Sequence, residues 1–268
     1  MPRAADRDQS VQSLERGLAV IQVFSRERPA LTLSEVARLT GTTRATARRI
    51  LLTLEKLGHV RSDGRLFSLT PRVLSLGWAY LSSLNLWEVA QPLMETLAMR
   101  TSESTSIATL DLPDVVYVVR VPTRRLMSIT LGVGSRLPAH ATSMGRVLLA
   151  ALPDDELDVF LSTTKLERFT DNTITEPERL RQALAEVRKR GWALVDQELE
   201  IGLRSIAAPI TGRAGKTIAA LNISTAAPRV SLAELRNRFL PQLLETAELI
   251  STSLARQSLP IATWMSAE

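Results

Sequence analysis

No cysteine occurs in the 268 residues, histidine occurs twice, and aromatic residues make up only 4% of the chain. The first absence excludes disulfides, thiolate metal sites and a cysteine nucleophile, and it fits a reducing cytoplasm. With His59 and His140 in different parts of the chain, only scattered carboxylates remain as metal ligands, so neither a metal nor a cofactor is expected. No apolar run approaches the ~20 residues that span a bilayer, and the opening MPRAADRDQS lacks the apolar stretch of a secretory leader. The expectation is a soluble, cytoplasmic protein with no membrane partner. Internal repeats and low-complexity tracts are also missing.

Hydrophobic residues make up 45% of the chain, enough for a substantial core and for roughly two domains. The net charge of +5 is unevenly placed: residues 1–75 hold 13 Lys+Arg against 7 Asp+Glu, a surplus of +6, and the remainder holds 20 against 21. A local basic surplus is what phosphate neutralisation requires.

That surplus coincides with an ordered series of local signals. Ser13 opens a helix to about Ser25 with an apolar stripe of Leu14, Leu18, Ile21 and Val23/Phe24. Thr32 and Glu35 stand in capping-box spacing before Val36, Ala37 and Leu39, so a second helix starts there. Gly41 supplies a tight turn and Thr42 a cap for a third helix running to about Leu57, which Gly58 ends. On a helical wheel Ala47, Ile50, Leu51, Leu54 and Leu57 form one face, while Ala45, Arg48, Arg49 and Lys56 form the other with Arg44 at its edge. Val60–Ser62 and Arg65–Phe67 flank Asp63-Gly64, a two-residue hairpin turn. Cap, turn, basic helix and hairpin arrive in the order of a winged helix-turn-helix. Its candidate DNA-contacting set is Thr42, Thr43, Arg44, Ala45, Thr46, Arg48 and Arg49 with Arg61 and Arg65 on the wing, and the expected partner is double-stranded operator DNA.

Thr70-Pro71 then starts a linker helix whose Val73, Leu76, Trp78, Tyr80 and Leu81 make a stripe too broad for a lone connector, so part of it is expected to meet a second subunit. A helix from Leu86 to Arg100 leads into strand-like runs at Thr105–Leu110, Val115–Val121 and Met127–Val133. Helices follow from Thr142 to Ala151 and between Pro153 and Gly191. Strands return at Trp192–Asp196, Leu203–Ile210 and Thr217–Ser224, before a long helix from Ser231 to about Leu254. Strand runs separated from helix runs indicate an α+β domain. Thr142 can cap the helix beginning Ser143-Met144-Gly145, whose N-terminus offers N–H groups to a carboxylate. Ser205, Asn222 and Ser224 can add hydrogen bonds, and Ile129, Leu137, Met144 and Leu203 apolar walls.

Ser13–Val20, Leu33–Ala37, Leu137–Arg146 and Gly202–Pro209 together resemble the IclR family of bacterial transcriptional regulators, over residues 11 to about 256. Within it, Ala45–Arg49, Thr70–Leu74, Ala141–Ala150 and Val195–Glu200 look like the subgroup that controls protocatechuate and β-ketoadipate catabolism. The resemblance implies a winged helix-turn-helix joined by a linker helix to a GAF/PAS-like effector domain, dimers or dimers of dimers on an operator, and no catalysis. It implies that Ile129, Leu137, Ser143, Met144, Leu203, Ser205, Asn222 and Ser224 line the effector cavity, with protocatechuate or β-ketoadipate as first candidate ligands. One departure is His140, where the subgroup has an aromatic residue; it reads as a pocket-edge or structural residue, with a ligand contact also open. The expected layout is a flexible tail over 1–12, the DNA-binding domain over 13–70, the linker and dimerisation helix over 71–86, the effector-binding domain over 87–256 and a tail over 257–268.

Two readings of other classes compete. His140 and Ser143 invite a hydrolase with an accessory DNA-binding domain, although no Gly-x-Ser-x-Gly elbow exists and the other histidine, His59, lies in the DNA-binding module. The other is an architectural DNA-binding protein that takes no ligand. Arg204 reads as a structural partner of Glu198 or Glu200, and Arg124-Arg125 and Arg188–Arg190 as solvated charge runs.

Overall fold

Thr32 closes a three-residue strand and opens a helix in one step. Its hydroxyl accepts from the Glu35 N–H at 3.3 Å while the Glu35 carboxylate accepts from the Thr32 N–H at 2.7 Å, the reciprocal capping box its spacing predicts. The computed structural model describes residues 10–83, 86–123, 131–212 and 215–257, and the chain divides between Ser83 and Leu84 into two units. The first contains α1 (Gln12–Gln22), β1 (Ala30–Thr32), α2 (Leu33–Leu39), α3 (Arg44–Lys56), β2 (Val60–Ser62) and β3 (Leu66–Leu69). Its strands form an antiparallel sheet in the order β1-β3-β2. Val20, Leu31, Val36, Ala47, Leu51 and Leu54 close its core.

Several local expectations shift. Leu14 and Leu18 are 62% and 49% exposed, and Val20 is the residue of α1 that is fully buried, so the buried stripe of α1 is rotated from the expected one. Thr43, not Thr42, caps α3: its hydroxyl accepts from the Thr46 N–H at 3.2 Å, while the Thr42 hydroxyl pairs with that of Thr40 at 2.9 Å. The wing turn sits one residue later than Asp63-Gly64. The Asp63 N–H donates to the Leu66 carbonyl at 3.2 Å, and the Asp63 carboxylate accepts the Leu66 N–H at 2.7 Å, leaving Gly64 and Arg65 at the tip. Gly64 takes φ +96°, which suits a residue without Cβ. Beyond β3, Thr70 caps a short 3-10 turn (Pro71–Val73) that continues as α4 (Leu74–Ser83). Leu74, Leu76, Trp78 and Tyr80 of α4 are all about half exposed or more.

The second unit runs α5 (Leu86–Thr101), β4 (Ser104–Asp111), β5 (Asp114–Val121), β6 (Arg136–Pro138), a 3-10 turn (Ala139–Ala141), α6 (Ser143–Ala150), α7 (Asp154–Thr163), α8 (Pro177–Arg190), β7 (Ala193–Asp196), β8 (Leu203–Thr211), β9 (Thr217–Ala226) and α9 (Leu232–Glu234). A π-helical turn (Leu235–Phe239) then leads into α10 (Leu240–Gln257). Among the described residues six strands form one antiparallel sheet in the order β6-β5-β4-β9-β8-β7. The expected strand at Met127–Val133 lies partly outside the described residues, and 131–133 are not strand. The short strand there is β6, which the sequence pattern does not signal. The expected long C-terminal helix is interrupted by the π-helical turn.

Alternation along the strands sorts the sheet faces. Ala108 opposite Ala220, and Ala207 opposite Ala193, are small side chains that share one core with Met144, Val147 and Leu148 of α6. Leu180, Leu184 and Val187 of α8 extend the same core. α5 and α10 pack against each other and against the sheet. Gly145 makes the close approach of α6 possible: a Cβ there would lie 2.0 Å from the Ala139 carbonyl oxygen. Among the described residues no helix is long and apolar enough to cross a membrane.

Candidate functional site

Two places combine exposed or unpartnered polar chemistry with a shaped surface, one in each unit. In the first, Arg44, Arg48 and Arg49 on α3 and Arg61 and Arg65 on the hairpin are all exposed. None of the five forms an ion pair with a described residue. Arg44, Arg48 and the half-exposed Leu52 line an open groove whose opposite wall carries Ser62, Gly64 and Arg65 of the hairpin. Thr46 and Arg49 face the other side of α3, bordering an apolar groove with Leu14, Leu18 and Ile21 of α1. Ala45 and Thr43 are exposed at the start of α3.

In the second unit a cleft opens where the polar end of the sheet meets the N-terminus of α6. Strand register places Arg120, Ser106 and Asn222 in one cross-strand row, and Ser104, Ser224, Ser205 and Val195 in the row beside it. Tyr117 and Arg120 are three residues apart, and regular alternation would put them on opposite faces. The β4–β5 register, however, slips between Ile107 and Ala108, so Tyr117 pairs with Ala108 while Val119 pairs with Ile107. This bulge turns Tyr117 and Arg120 into the same cleft.

The polar groups there are only partly satisfied. Thr142 caps α6 by accepting from the Gly145 N–H at 3.2 Å. Arg120 donates to the Ser106 hydroxyl at 3.0 Å, and Asn222 donates through its amide nitrogen to Ser224 at 3.0 Å. The Ser143 hydroxyl and the Asn222 carbonyl oxygen have no hydrogen-bond partner among the described residues, although these residues are 1% and 3% exposed. Each unpaired group costs about 1–3 kcal/mol when buried. Burial raises the Tyr117 phenol to a pKa of about 12, with Arg120 pulling it back, so the cleft presents a neutral hydroxyl beside a cation. The same burial lowers the Arg120 pKa. Leu131, Leu137, Leu199 and Leu203 supply apolar walls. The open volume is about 20 Å³, room for a water rather than a ring, so a larger ligand enters only if the walls part.

A model of the IclR helix-turn-helix domain matches residues 13–64, and a model of the bacterial transcriptional regulator IclR C-terminal domain matches residues 78–252. The chain belongs to the IclR family. Among its relatives is the Pca regulon regulatory protein of Pseudomonas putida, 49% identical over 87% of this chain and 80% of that one. A crystal structure of a putative transcriptional regulator from Rhodococcus is 54% identical, with a TM-score of 0.83 over 92% of this chain and all of that one. An IclR homologue from Microbacterium hydrocarbonoxydans, solved in complex with 4-hydroxybenzoate, is 30% identical, with a TM-score of 0.82 over 92% of this chain and all of that one. This IclR-family chain is therefore a helix-turn-helix transcriptional regulator.

Of the ten effector-cavity residues expected in this IclR-family chain, Leu137, Thr142, Ser143, Leu203, Ser205, Asn222 and Ser224 line the cleft. Ile129 lies outside the described residues. Met144 does not line it: one residue on from Ser143, about 100° around the helix, its side chain is buried in the core with Val147 and Leu148. His140 does not either. Its ring leaves the 3-10 turn on the other side, with Nε2 3.0 Å from the Glu167 carbonyl oxygen and its ring 5.9 Å from that of Phe169. Burial lowers its pKa. His140 and Ser143 make no hydrogen bond to each other, so the nucleophile–base pair that the hydrolase reading requires is not formed.

Other expectations change partner. Arg204 is structural, but it pairs with Asp196 at 2.5 Å rather than with Glu198 or Glu200, and it donates to the carbonyls of Ala227 and Val230 at 3.0 Å. Glu198 instead meets Arg146 at 2.5 Å, with both side chains under 10% exposed. Arg188 is not simply solvated: it donates to the Ala150 and Leu152 carbonyls at 2.6 and 2.7 Å and to Asp154 at 2.7 Å. Arg190 stacks 4.1 Å above the Trp192 ring. Arg124 and Arg125 lie outside the described residues. Tyr117, Arg120, Leu131, Ala141, Val195 and Leu199 line the cleft without having been anticipated. For Arg120 the available signal was a lone cation inside an otherwise apolar strand run.

Proposed function

We propose that α3 enters the major groove of an operator, that the hairpin sits on the flanking backbone, and that a small hydroxylated aromatic carboxylate held in the second unit's cleft changes operator binding. On this reading Arg48 reads bases, Ala45 and Leu52 touch thymine methyls, and Arg61 and Arg65 meet phosphates. Thr43 and Thr46 are occupied with capping α3 and orient it. The carrying observation is the cleft itself. It has two buried polar atoms without partners, a cation and apolar walls, at the place where the family model matches. The 4-hydroxybenzoate complex of the Microbacterium homologue and the Pca regulon relative support an aromatic or ring-derived acid, with protocatechuate, 4-hydroxybenzoate and β-ketoadipate as the compounds to try.

The narrowness of the cleft supplies the switch. A ligand that fits only after α6 and its neighbours separate from the sheet binds one arrangement of the unit better than another, and coupling of about 1–3 kcal/mol is usual for such differential binding. The exposed Leu74, Leu76 and Trp78 of α4, with Leu14 and Leu18 of α1, support assembly of at least two copies, as a two-fold operator requires.

Mobility-shift titrations across a salt series test the DNA reading. Arg48→Ala is expected to relax base preference and cost roughly 1–3 kcal/mol at the operator, whereas Arg65→Ala weakens all sequences alike and flattens the salt slope. Wild-type affinity in both variants would remove α3 and the hairpin from the interface. Calorimetry of the full chain with the three acids tests the effector, and no heat with any of them would remove the cleft from that role.

A further inference from the structure

A carboxylate entering the cleft has two positive places to go: the N-terminus of α6 and the Arg120 guanidinium. The α6 end offers a partial charge, and one of its N–H groups, that of Gly145, is taken by Thr142. Arg120 is different. It projects from β5 into the cleft, no described carboxylate pairs with it, and its one described hydrogen bond goes to the neutral Ser106 hydroxyl at 3.0 Å. A guanidinium carries five donors in a planar fork, so most of its capacity is unspent and its charge is uncompensated locally. At the same site, the Asn222 carbonyl oxygen is an acceptor without a donor, and the Ser143 hydroxyl can give or take one hydrogen bond.

These groups do not want the same ligand atoms. Arg120 calls for an anion, Asn222 for an O–H or N–H donor, and Ser143 for either. Arg120, Ser106 and Asn222 sit on three neighbouring strands, with the Arg120 guanidinium reaching Ser106 on the middle one, so the cation and the unpaired acceptor are separate groups presented from different strands to the same cleft. A ligand with its charge at one end and its hydroxyl at the other can meet both.

We infer that Arg120 is the carboxylate-binding residue of the effector cleft, and that Asn222 and Ser143 take a ring hydroxyl at the far end, so that the protein selects hydroxylated over unsubstituted aromatic acids. This orientation rests on the effector reading above, and it places the carboxylate away from the α6 N-terminus.

Calorimetry of the full chain against 4-hydroxybenzoate, benzoate and 4-hydroxybenzamide separates the two ends. Wild type is expected to prefer 4-hydroxybenzoate over both others by tenfold or more. Arg120→Gln is expected to erase the preference for acid over amide, and Arg120→Lys to keep part of it, since a point charge cannot fork. Ser143→Ala and Asn222→Leu are expected to erase the preference for 4-hydroxybenzoate over benzoate while leaving acid over amide intact. If Arg120→Gln and Arg120→Lys both keep the full acid preference while Ser143→Ala loses it, the carboxylate lies at the α6 end; the orientation is then overturned while the effector reading stands. If wild type binds none of the three while still binding DNA, both fall.

Discussion

Glu198→Gln isolates the energetics of the buried ion pair. The Arg146 and Glu198 side chains are 6% and 9% exposed and meet at 2.5 Å. Arg146 also donates to the His140 carbonyl at 3.1 Å, and Glu198 also accepts the Ile174 N–H at 3.2 Å. Burial lowers the Arg146 pKa and Glu198 raises it back, but an arginine stays charged at neutral pH. Glutamine keeps the volume and one acceptor oxygen, so neither a cavity nor a lost hydrogen bond contributes much. What remains is a buried guanidinium without its counter-charge. Removing one partner of such a pair costs about 3–5 kcal/mol, and the retained oxygen argues for the lower end. Against a total stability of about 5–15 kcal/mol this is a large fraction. Urea unfolding followed by circular dichroism reads it directly: with a slope of about 1–3 kcal/mol per molar, the transition of the second unit moves down by about 1–3 M. Adding Arg146→Met should recover part of the loss, because the double variant buries no charge. A shift below about 0.3 M, or a double variant weaker than Glu198→Gln alone, would show that the pair is effectively solvated and the reasoning wrong.

Gly145→Ala should destabilise by about 3 kcal/mol or more, because its Cβ would sit 2.0 Å from the Ala139 carbonyl oxygen, with backbone on both sides of the clash. Gly17→Ala in α1, with nothing within 4 Å, should instead be neutral or stabilising by up to about 1 kcal/mol, so thermal melts of the two variants have opposite expected signs. Tyr117 and Tyr80 are the two tyrosines of the chain, and absorbance titration at alkaline pH should show one late ionisation, near pH 12, that disappears in Tyr117→Phe. Because the folded pKa lies above the unfolded value near 10, the neutral phenol's contribution to stability is complete below pH 10 and is lost as pH rises toward 12. Absence of that late ionisation from the native protein would contradict the burial of the Tyr117 hydroxyl.

The parts of the fold that are legible in the sequence are those governed by local chemistry. The Thr32/Glu35 capping box, the buried Ala47, Leu51 and Leu54 of α3 and the long strands β4, β5, β8 and β9 all follow from spacing within a dozen residues, whereas Leu57, expected on the core face, is 53% exposed and Arg49 borders a different groove from Arg48. Errors of one residue arise where neighbouring candidates are chemically alike: Thr42 and Thr43 are both good caps, and backbone conformation rather than composition decides between them. β1 and β6 are three residues each, too short for alternation to be seen. The cleft was legible on its α6 and β8–β9 sides. It was not legible on β5, because the bulge beside Ile107 reverses the parity on which any reading of Tyr117 and Arg120 depends. Arg146, Glu198 and Arg204 show the same limit: each is recognisable as a charge needing a partner, but the partners lie 52 and 8 residues away and are chosen by tertiary packing.

Arg188 joins what would otherwise be separate pieces. One guanidinium on α8 holds the last carbonyl of α6, a carbonyl in the turn after it and the first acidic residue of α7. A helix end normally frays because its final carbonyls cost little to release into water. Here that release would also break the Arg188 hydrogen bonds that tie this end to α8, so the C-terminal end of α6 opens at a higher cost than a free helix end. The cleft's helix therefore belongs to one cooperative unfolding unit with α8, and a displacement that begins at Ser143 has to travel as motion of the whole block rather than dissipate as local melting.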